Sequence, residues 1–446
     1  HAEIGPALYG MAVTEQQEID ARLVALDGTV NLSRLGANAT LATSIAVCRA
    51  AATDSGLALH SYINRLVPER SMSMPVPMTN ILSGGAHANR GMDIQDFLAI
   101  PVSAKSYKEA LIMVSEVRSA ASRLAERRNL PVLLADEGGL SPGFPDPTSA
   151  LDFMIESFKE AGYTPGKDLV IALDIAASEF YVDGSYRLAR QGKTLSGSEM
   201  IAFVRDLADT YPIVSIEDPL DQDDWDHWRT LMTQLPACQI LGDDLFVTSA
   251  ERIGMGIAQS AANSAIIKIN QNGTLSGTIA AMRVAWSGGF STVVSARSGE
   301  TEDSFIADLA VATGAGQIKI GSTRNSDRLS KYNQLLRIEE VGNLPYAGIK
   351  VLAGTEIPAV GGNHHHIHIR RIDQRAERIA QLGIALKCQR VLPLGSVQPH
   401  HGHPVRHLPQ EMFGPQPRHR AHHAPPMRLR ISVNVSRSAS DRLAKR

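Results

Sequence analysis

The sequence predicts an α/β protein built on a β/α barrel, and three observations lead there. Short apolar runs recur at about the spacing of one strand-plus-helix unit. The stretches between them carry helical periodicity. Each run also ends on or beside a charged or functional residue: LVIAL runs into Asp174, IVSI into Glu217, QILG into Asp243, AII into Lys268, TVVS into Ala296, Arg297 and Ser298, and QI into Lys319. In a closed parallel barrel the C-terminal ends of the strands meet at one mouth, so residues far apart in sequence converge there. Three carboxylates and two lysines on one rim point to a site that joins metal binding to amine chemistry.

Taken in order, residues 3 to about 65 read as helical: EQQEIDARLVAL, a turn at Asp27-Gly28-Thr29, then an Ala-rich run over 41–52. PVPMTNIL (75–82) reads as the first barrel strand, and KEALIMVSEVRSAASRLAERR (108–128) as a long helix. PVLLA (131–135) is expected as a strand delivering Asp136-Glu137-Gly138-Gly139. Leu151, Met154, Ile155 and Phe158 repeat at helical spacing, and from Leu169 strands and helices alternate to about residue 340. Beyond Val351 the text turns His- and Pro-rich, with HHHIH at 364–368 and HHGH at 400–403, and holds eleven of the fifteen histidines. Without spaced partners on a packed scaffold such tracts are weak metal signals, so 351–446 reads as a disordered or frame-shifted tail.

At 446 residues the chain exceeds one ordinary domain unless that domain is a barrel with additions. No apolar stretch approaches the roughly 18–20 residues needed to cross a bilayer, so no membrane insertion is expected. Cys48, Cys238 and Cys388 are too few and too scattered for a zinc site or a disulfide framework, which fits a reducing, cytoplasmic setting. No charged-then-apolar leader opens the chain, and its start at His1 rather than Met reads as a fragment or a miscalled start. The net charge of −2 divides unevenly: residues 351–446 hold 15 Lys/Arg against 5 Asp/Glu, and the first 350 hold 29 against 41. So acidic a body argues against nucleic acid as the main partner.

Ten motifs then stand in order: LDGTVNLSRLGANAT (26–40), SGGAHANRGMDIQDF (83–97), DEGG (136–139), LDIAASEF (173–180), SIEDP (215–219), GDDL (242–245), KINQNGT (268–274), RSGETED (297–303), GQIKIG (316–321) and NQLLRIEE (333–340). On them the chain resembles the enolase family over about 26–340. The resemblance implies an enolase-type eight-stranded β/α barrel over 70–350. It follows the helical remnant of an α+β N-terminal domain over 1–65. It also implies Mg²⁺-dependent, reversible dehydration of 2-phosphoglycerate, a small phosphorylated 2-hydroxy acid, to phosphoenolpyruvate. A cytoplasmic homodimer is expected, with cell-surface or secreted forms as well.

The reaction removes a proton beside a carboxylate that is already negative, so cations must hold the charge that develops. By resemblance Asp174, Glu217 and Asp243 match the Mg²⁺ ligands, hard oxygen donors that would repel one another without a cation. Lys268 matches the base; a neighbouring lysine and the metal charge are expected to depress its pKa. Lys319 matches the lysine that binds the substrate carboxylate, Arg297 and Ser298 the phosphate-binding pair, and Gln95 a substrate-binding position. Glu137 matches the acid that protonates the departing hydroxyl, and His87 a histidine on a loop over the site.

Some departures stand out. Family members begin some 70 residues earlier, with a serine loop that closes over the substrate, and this chain shows no counterpart. Ala296 stands where the family has His, and Asp96, grouped with the catalytic residues, stands where it has Glu. The shorter Asp96 would put a hydrogen bond to the acid out of reach. The family's usual C-terminus is also replaced by the tail. Two further functions compete. Ala296 enlarges the site as a phosphonate-pathway enzyme such as carboxyphosphonoenolpyruvate synthase would require. The absent serine loop and the basic Lys445-Arg446 end suit a non-catalytic binding protein.

Overall fold

The computed structural model describes residues 2–352, so the His- and Pro-rich tail and the expectation attached to it lie outside the described residues. Four helices come first: α1 (Ile4–Leu8), α2 (Gln16–Asp27), α3 (Ala37–Asp54) and α4 (Leu59–Leu66). Strands β1 (Val76–Ser83) and β2 (Asp96–Pro101) follow, then helices α5 (Tyr107–Arg127) and α6 (Pro147–Glu160), then β3 (Leu169–Asp174). A small three-stranded sheet of β4 (Tyr181–Val182), β5 (Ser185–Leu188) and β6 (Lys193–Leu195) interrupts the alternation, an insertion the sequence pattern did not announce. Regular units then run α7 (Gly197–Thr210), β7 (Ile213–Glu217), α8 (Trp225–Gln234), β8 (Gln239–Gly242), α9 (Ala250–Gln259) and β9 (Ser264–Ile267). After them come α10 (Ile269–Asn272), α11 (Leu275–Ser287), β10 (Ser291–Ser295), α12 (Phe305–Ala312), β11 (Gly316–Lys319) and α13 (Ser326–Gly342).

Eight strands close into a barrel in the order β1-β11-β10-β9-β8-β7-β3-β2. It is not all-parallel as expected, because β2 runs antiparallel to both β1 and β3. The link from β1 to β2 holds no crossover helix, and a chain that returns directly can pair only in the opposite sense. The reversal matters for chemistry: β2 brings its first residues, not its last, to the mouth. PVLLA is not a strand. Val132, Leu133 and Leu134 are 43%, 71% and 49% exposed, and the segment makes only an isolated bridge from Leu134 to Leu140. A closed barrel has no free edge to receive another strand, and Pro131 offers no ladder donor.

Strand β3 shows why these runs read as uninterrupted apolar text. Val170 and Ala172 face the barrel interior with Val76, Met78, Leu98, Ile266 and Val293, while Leu169, Ile171 and Leu173 pack outward beneath the helices. A strand buried on both faces has no polar alternation. Helices α2 and α3 dock on the segment that follows β9, and α4 packs against α12. Thr40 Oγ1 donates to the Gly273 carbonyl at 2.9 Å, the Leu275 amide donates to Ser44 Oγ at 3.0 Å, and the Ser276 amide to Asp20 at 2.8 Å. Gly273 has φ +89°, and a Cβ there would lie 2.5 Å from Leu32 Cδ1 in the loop before α3, so the corner takes glycine. This contact steadies the corner that follows Lys268.

Candidate active site

Strand register assembles the acidic half of the site. Ser83 at the end of β1 pairs with Asp96 at the start of β2, Asp96 with Asp174 at the end of β3, and Asp174 with Glu217 at the end of β7. Four strands thus deliver Ser83, Asp96, Asp174 and Glu217 side by side at one level of the mouth. Lys319, ending β11, reaches across, and its Nζ lies 2.7 Å from both Asp174 Oδ2 and Glu217 Oε2. Gln95 donates to Asp174 Oδ2 at 3.1 Å. One strand further round, Lys268 Nζ is paired with Asp243 Oδ2, and Gln271 Nε2 donates to Asp243 Oδ1 at 2.9 Å.

Asp218 is a residue the sequence reading passed over. It sits in the left-handed region at φ 42°, buried, and its two carboxylate oxygens accept from the backbone amides of Asp243 and Asp244 at 2.9 and 2.8 Å. It therefore fixes the loop that carries Asp243. The signal was present in the paired acids of SIEDP and GDDL, but spacing does not reveal which acid binds backbone.

The other half gathers around Glu137. Glu137 Oε2 accepts from Asn80 Nδ2 at 3.1 Å and Oε1 from Ser298 Oγ at 3.4 Å, while Ser298 Oγ lies 2.8 Å from His87 Nε2. Asp96, fully buried, accepts from Ser83 Oγ at 2.6 Å, and its Oδ2 has no hydrogen-bond partner. A carboxylate oxygen of Asp96, one of Glu137 and a ring nitrogen of His87 lie within 4.8 Å of one another, while Asp96 and Glu137 each take their hydrogen bonds from other residues. Arg297 is exposed; its amide donates to Glu300 at 3.0 Å and its guanidinium to Asn270 Oδ1 at 3.3 Å.

A cavity of about 170 Å³ lies between the halves. Nine of the eleven nominated residues line it: His87, Gln95, Glu137, Asp174, Asp243, Lys268, Arg297, Ser298 and Lys319. Glu217 and Asp96 are not among the lining residues; Lys319, which lines the cavity, bonds Glu217, and Ser83 bonds Asp96. A larger groove of about 590 Å³ on the outer face of α5, α6 and α13 holds none of these groups.

The electrostatics follow from crowding in a buried place. Burial and the Asp174 charge push Glu217 up to about 8, against the pull of Lys319. Burial first, then Asp243 and Asp244, holds Asp218 well above the carboxylate range, and burial with Asp243 lifts Asp244 to about 6. Asp243 moves the other way: burial raises it, but Lys268, Lys319 and Gln271 together outweigh burial and lower its pKa. Burial and Glu137 hold Asp96 well above its ordinary value. For Lys268 burial lowers the pKa, but Asp243 and Glu217 outweigh burial and Lys319, so among these side chains it lies above the usual lysine value. The expected lowering rests on the charge of a bound cation as well, which this balance of side chains does not include.

Five carboxylates (Asp174, Glu217, Asp218, Asp243, Asp244) face two ammonium groups, and Glu217 Oε1 is buried with no hydrogen-bond partner. Hard oxygen donors in excess of local cations, with one buried oxygen left unpaired, fit a hard divalent cation. The tightest acidic triple among the described residues is Asp218, Asp243 and Asp244, all within 4.8 Å. The expected set of Asp174, Glu217 and Asp243 does not form so close a group, since Lys319 is inserted between its first two members. Among the described residues no helix is long and apolar enough to cross a membrane.

Comparison with known families agrees with this architecture over most of the chain. Residues 71–354 match the model described as "Enolase, C-terminal TIM barrel domain", and residues 1–63 match "Enolase, N-terminal domain".

Proposed function

The chain belongs to the enolase family, and from that premise we propose that it catalyses the reversible, Mg²⁺-dependent dehydration of 2-phosphoglycerate to phosphoenolpyruvate. One observation carries the reading: two lysines, each gripped by carboxylates, share a small cavity with Glu137 and an Arg–Ser pair. Burying this many charges does nothing for folding that apolar side chains would not do as well.

In the proposed reaction Lys268 takes the proton from C2 of the substrate, and the C3–O bond breaks with Glu137 protonating the departing hydroxyl, which leaves as water. Lys319 holds the substrate carboxylate, and Arg297 with Ser298 the phosphate, for which a guanidinium fork is suited. Asp96, held above the usual aspartate range by burial and Glu137, stands beside Glu137 with Ser83 Oγ donating to it. His87, through Ser298, fixes the side of the cavity that Glu137 faces. Asp174, Glu217 and Asp243 would hold Mg²⁺, with Asp218 setting the Asp243 loop. When bound, the cation supplies positive charge that stabilises the negative charge developing on the substrate carboxylate.

The test is direct. Purified protein with Mg²⁺ and 2-phosphoglycerate is expected to generate the ultraviolet absorbance of phosphoenolpyruvate, and chelation is expected to stop it. A folded, Mg²⁺-binding protein that forms no product would refute the assignment.

A further inference from the structure

We propose that Arg328 and Lys331 are positioning residues, two buried cations on one face of α13 that hold the Arg297–Ser298 segment in place at the barrel mouth. The inference rests on the reading above, in which that segment binds phosphate. Residues 296–304, between β10 and α12, form no helix or strand, so their backbone needs other anchors.

Arg328, Lys331 and Tyr332 occupy positions i, i+3 and i+4 and therefore share a helix face; all three are buried, at 0%, 0% and 1% exposure. Arg328 Nη2 donates to the Ser298 carbonyl at 2.6 Å and Nη1 to the Ile320 carbonyl at 2.9 Å, next to Lys319. Lys331 Nζ donates to the Thr301 carbonyl at 2.6 Å and lies 3.1 Å from Glu300 Oε2, whose other oxygen accepts from the Arg297 amide. Tyr332 donates to the Gly321 carbonyl at 2.8 Å.

Gly321 shows how closely these parts are fitted. At φ +114° a Cβ would lie 3.0 Å from Arg328 Cδ and 2.8 Å from the carbonyl of Glu137. The guanidinium thus lies among three rim segments, carrying Ser298, Lys319 and Glu137. Its compensation is incomplete: the Asp327 carboxylate stands 2.9 Å from Nε, yet Nε makes no hydrogen bond. A buried cation spent on two backbone carbonyls is a poor stabiliser beside an apolar side chain of similar size. What the fork provides is a fixed separation between two strand-end loops.

The test compares Arg328→Met, Arg328→Lys and Lys331→Met with Leu329→Ala, a partly exposed position on the same helix. Amide hydrogen exchange over 297–303 and the dissociation constant for inorganic phosphate with Mg²⁺ are read on each. Arg328→Met and Lys331→Met are expected to speed exchange in that segment and weaken phosphate binding at least about tenfold, with KM for 2-phosphoglycerate rising alongside. Arg328→Lys, which keeps the charge but not the fork, is expected to fall between, and Leu329→Ala to match wild type. Should Arg328→Met fail to fold, Arg328→Lys and Lys331→Met decide. Folded variants with wild-type exchange and phosphate affinity, whatever their melting temperature, would overturn the proposal. A wild type that binds no phosphate would instead count against the functional reading, leaving the exchange data to judge the anchor.

Discussion

Lys319 is the most informative single residue to remove. Its ammonium lies 2.7 Å from oxygens of both Asp174 and Glu217, and all three side chains are at most 5% exposed. At an effective dielectric near 20, unit charges at the Lys319–Asp174 distance attract by about 6 kcal/mol. Desolvation of the ions cancels much of this, so removing one partner from such a cluster costs about 3–5 kcal/mol net. Lys319→Met keeps length and apolar stem but leaves two carboxylates facing each other, and Glu217, already up at about 8, loses the cation that most restrains it. Spread over about 350 ordered residues, the loss amounts to about 4–7 °C in melting temperature. The assay is thermal unfolding near neutral pH with and without Mg²⁺. Without metal the variant is expected to melt lower by that amount, and Mg²⁺ to raise its midpoint more than that of wild type. A variant within about 1 °C of wild type would show that the lysine–carboxylate bridge is not the energetic feature the geometry implies.

Asp218→Asn loses one of the two bonds that its oxygens accept from the Asp243–Asp244 backbone, so the Mg²⁺ dissociation constant measured by calorimetry is expected to rise about tenfold or more. Gly139→Ala would place a Cβ 2.3 Å from Ser83 Oγ, which displaces the donor to Asp96; a loss of about 2–4 kcal/mol is expected in denaturant unfolding. Adding Ser83→Ala to that variant should recover part of it, a coupling readable from the double-mutant cycle. Asp96 supplies the pH dependence. Its folded pKa is raised, so its protonated form stabilises the fold fully below the ordinary value of 3.8, and that contribution is lost as pH rises through the folded value. Asp96→Asn does not titrate and still accepts from Ser83. Its melting temperature relative to wild type should therefore improve between about pH 5 and about pH 8; a constant difference would count against the raised pKa.

The strand ends were legible because barrel strands buried on both faces stand out as apolar runs, and the first polar residue after each run is at the mouth. That logic located Asp174, Glu217, Asp243, Lys268 and Lys319 at strand ends. It failed at 131–135, where an apolar run lies in an exposed loop, and it assumed all strands parallel, although β2 reaches the mouth by its first residue. Asn80, Asp218, Arg328 and Lys331 stayed hidden for another reason. Each acts through hydrogen bonds to groups brought near only by the closed barrel, and neither periodicity nor spacing encodes such partners. The direction of the Lys268 shift likewise depends on contact with Asp243, which no one-dimensional pattern contains.

The measurement that tests the central claim most directly is exchange of the C2 hydrogen of 2-phosphoglycerate with deuterated solvent in the presence of Mg²⁺, followed by NMR. Wild type is expected to exchange this hydrogen as phosphoenolpyruvate forms, and Lys268→Met to slow exchange by about 10²–10⁴-fold while still binding Mg²⁺. Exchange at the wild-type rate in the Lys268→Met protein, or none in the wild type, would contradict the account.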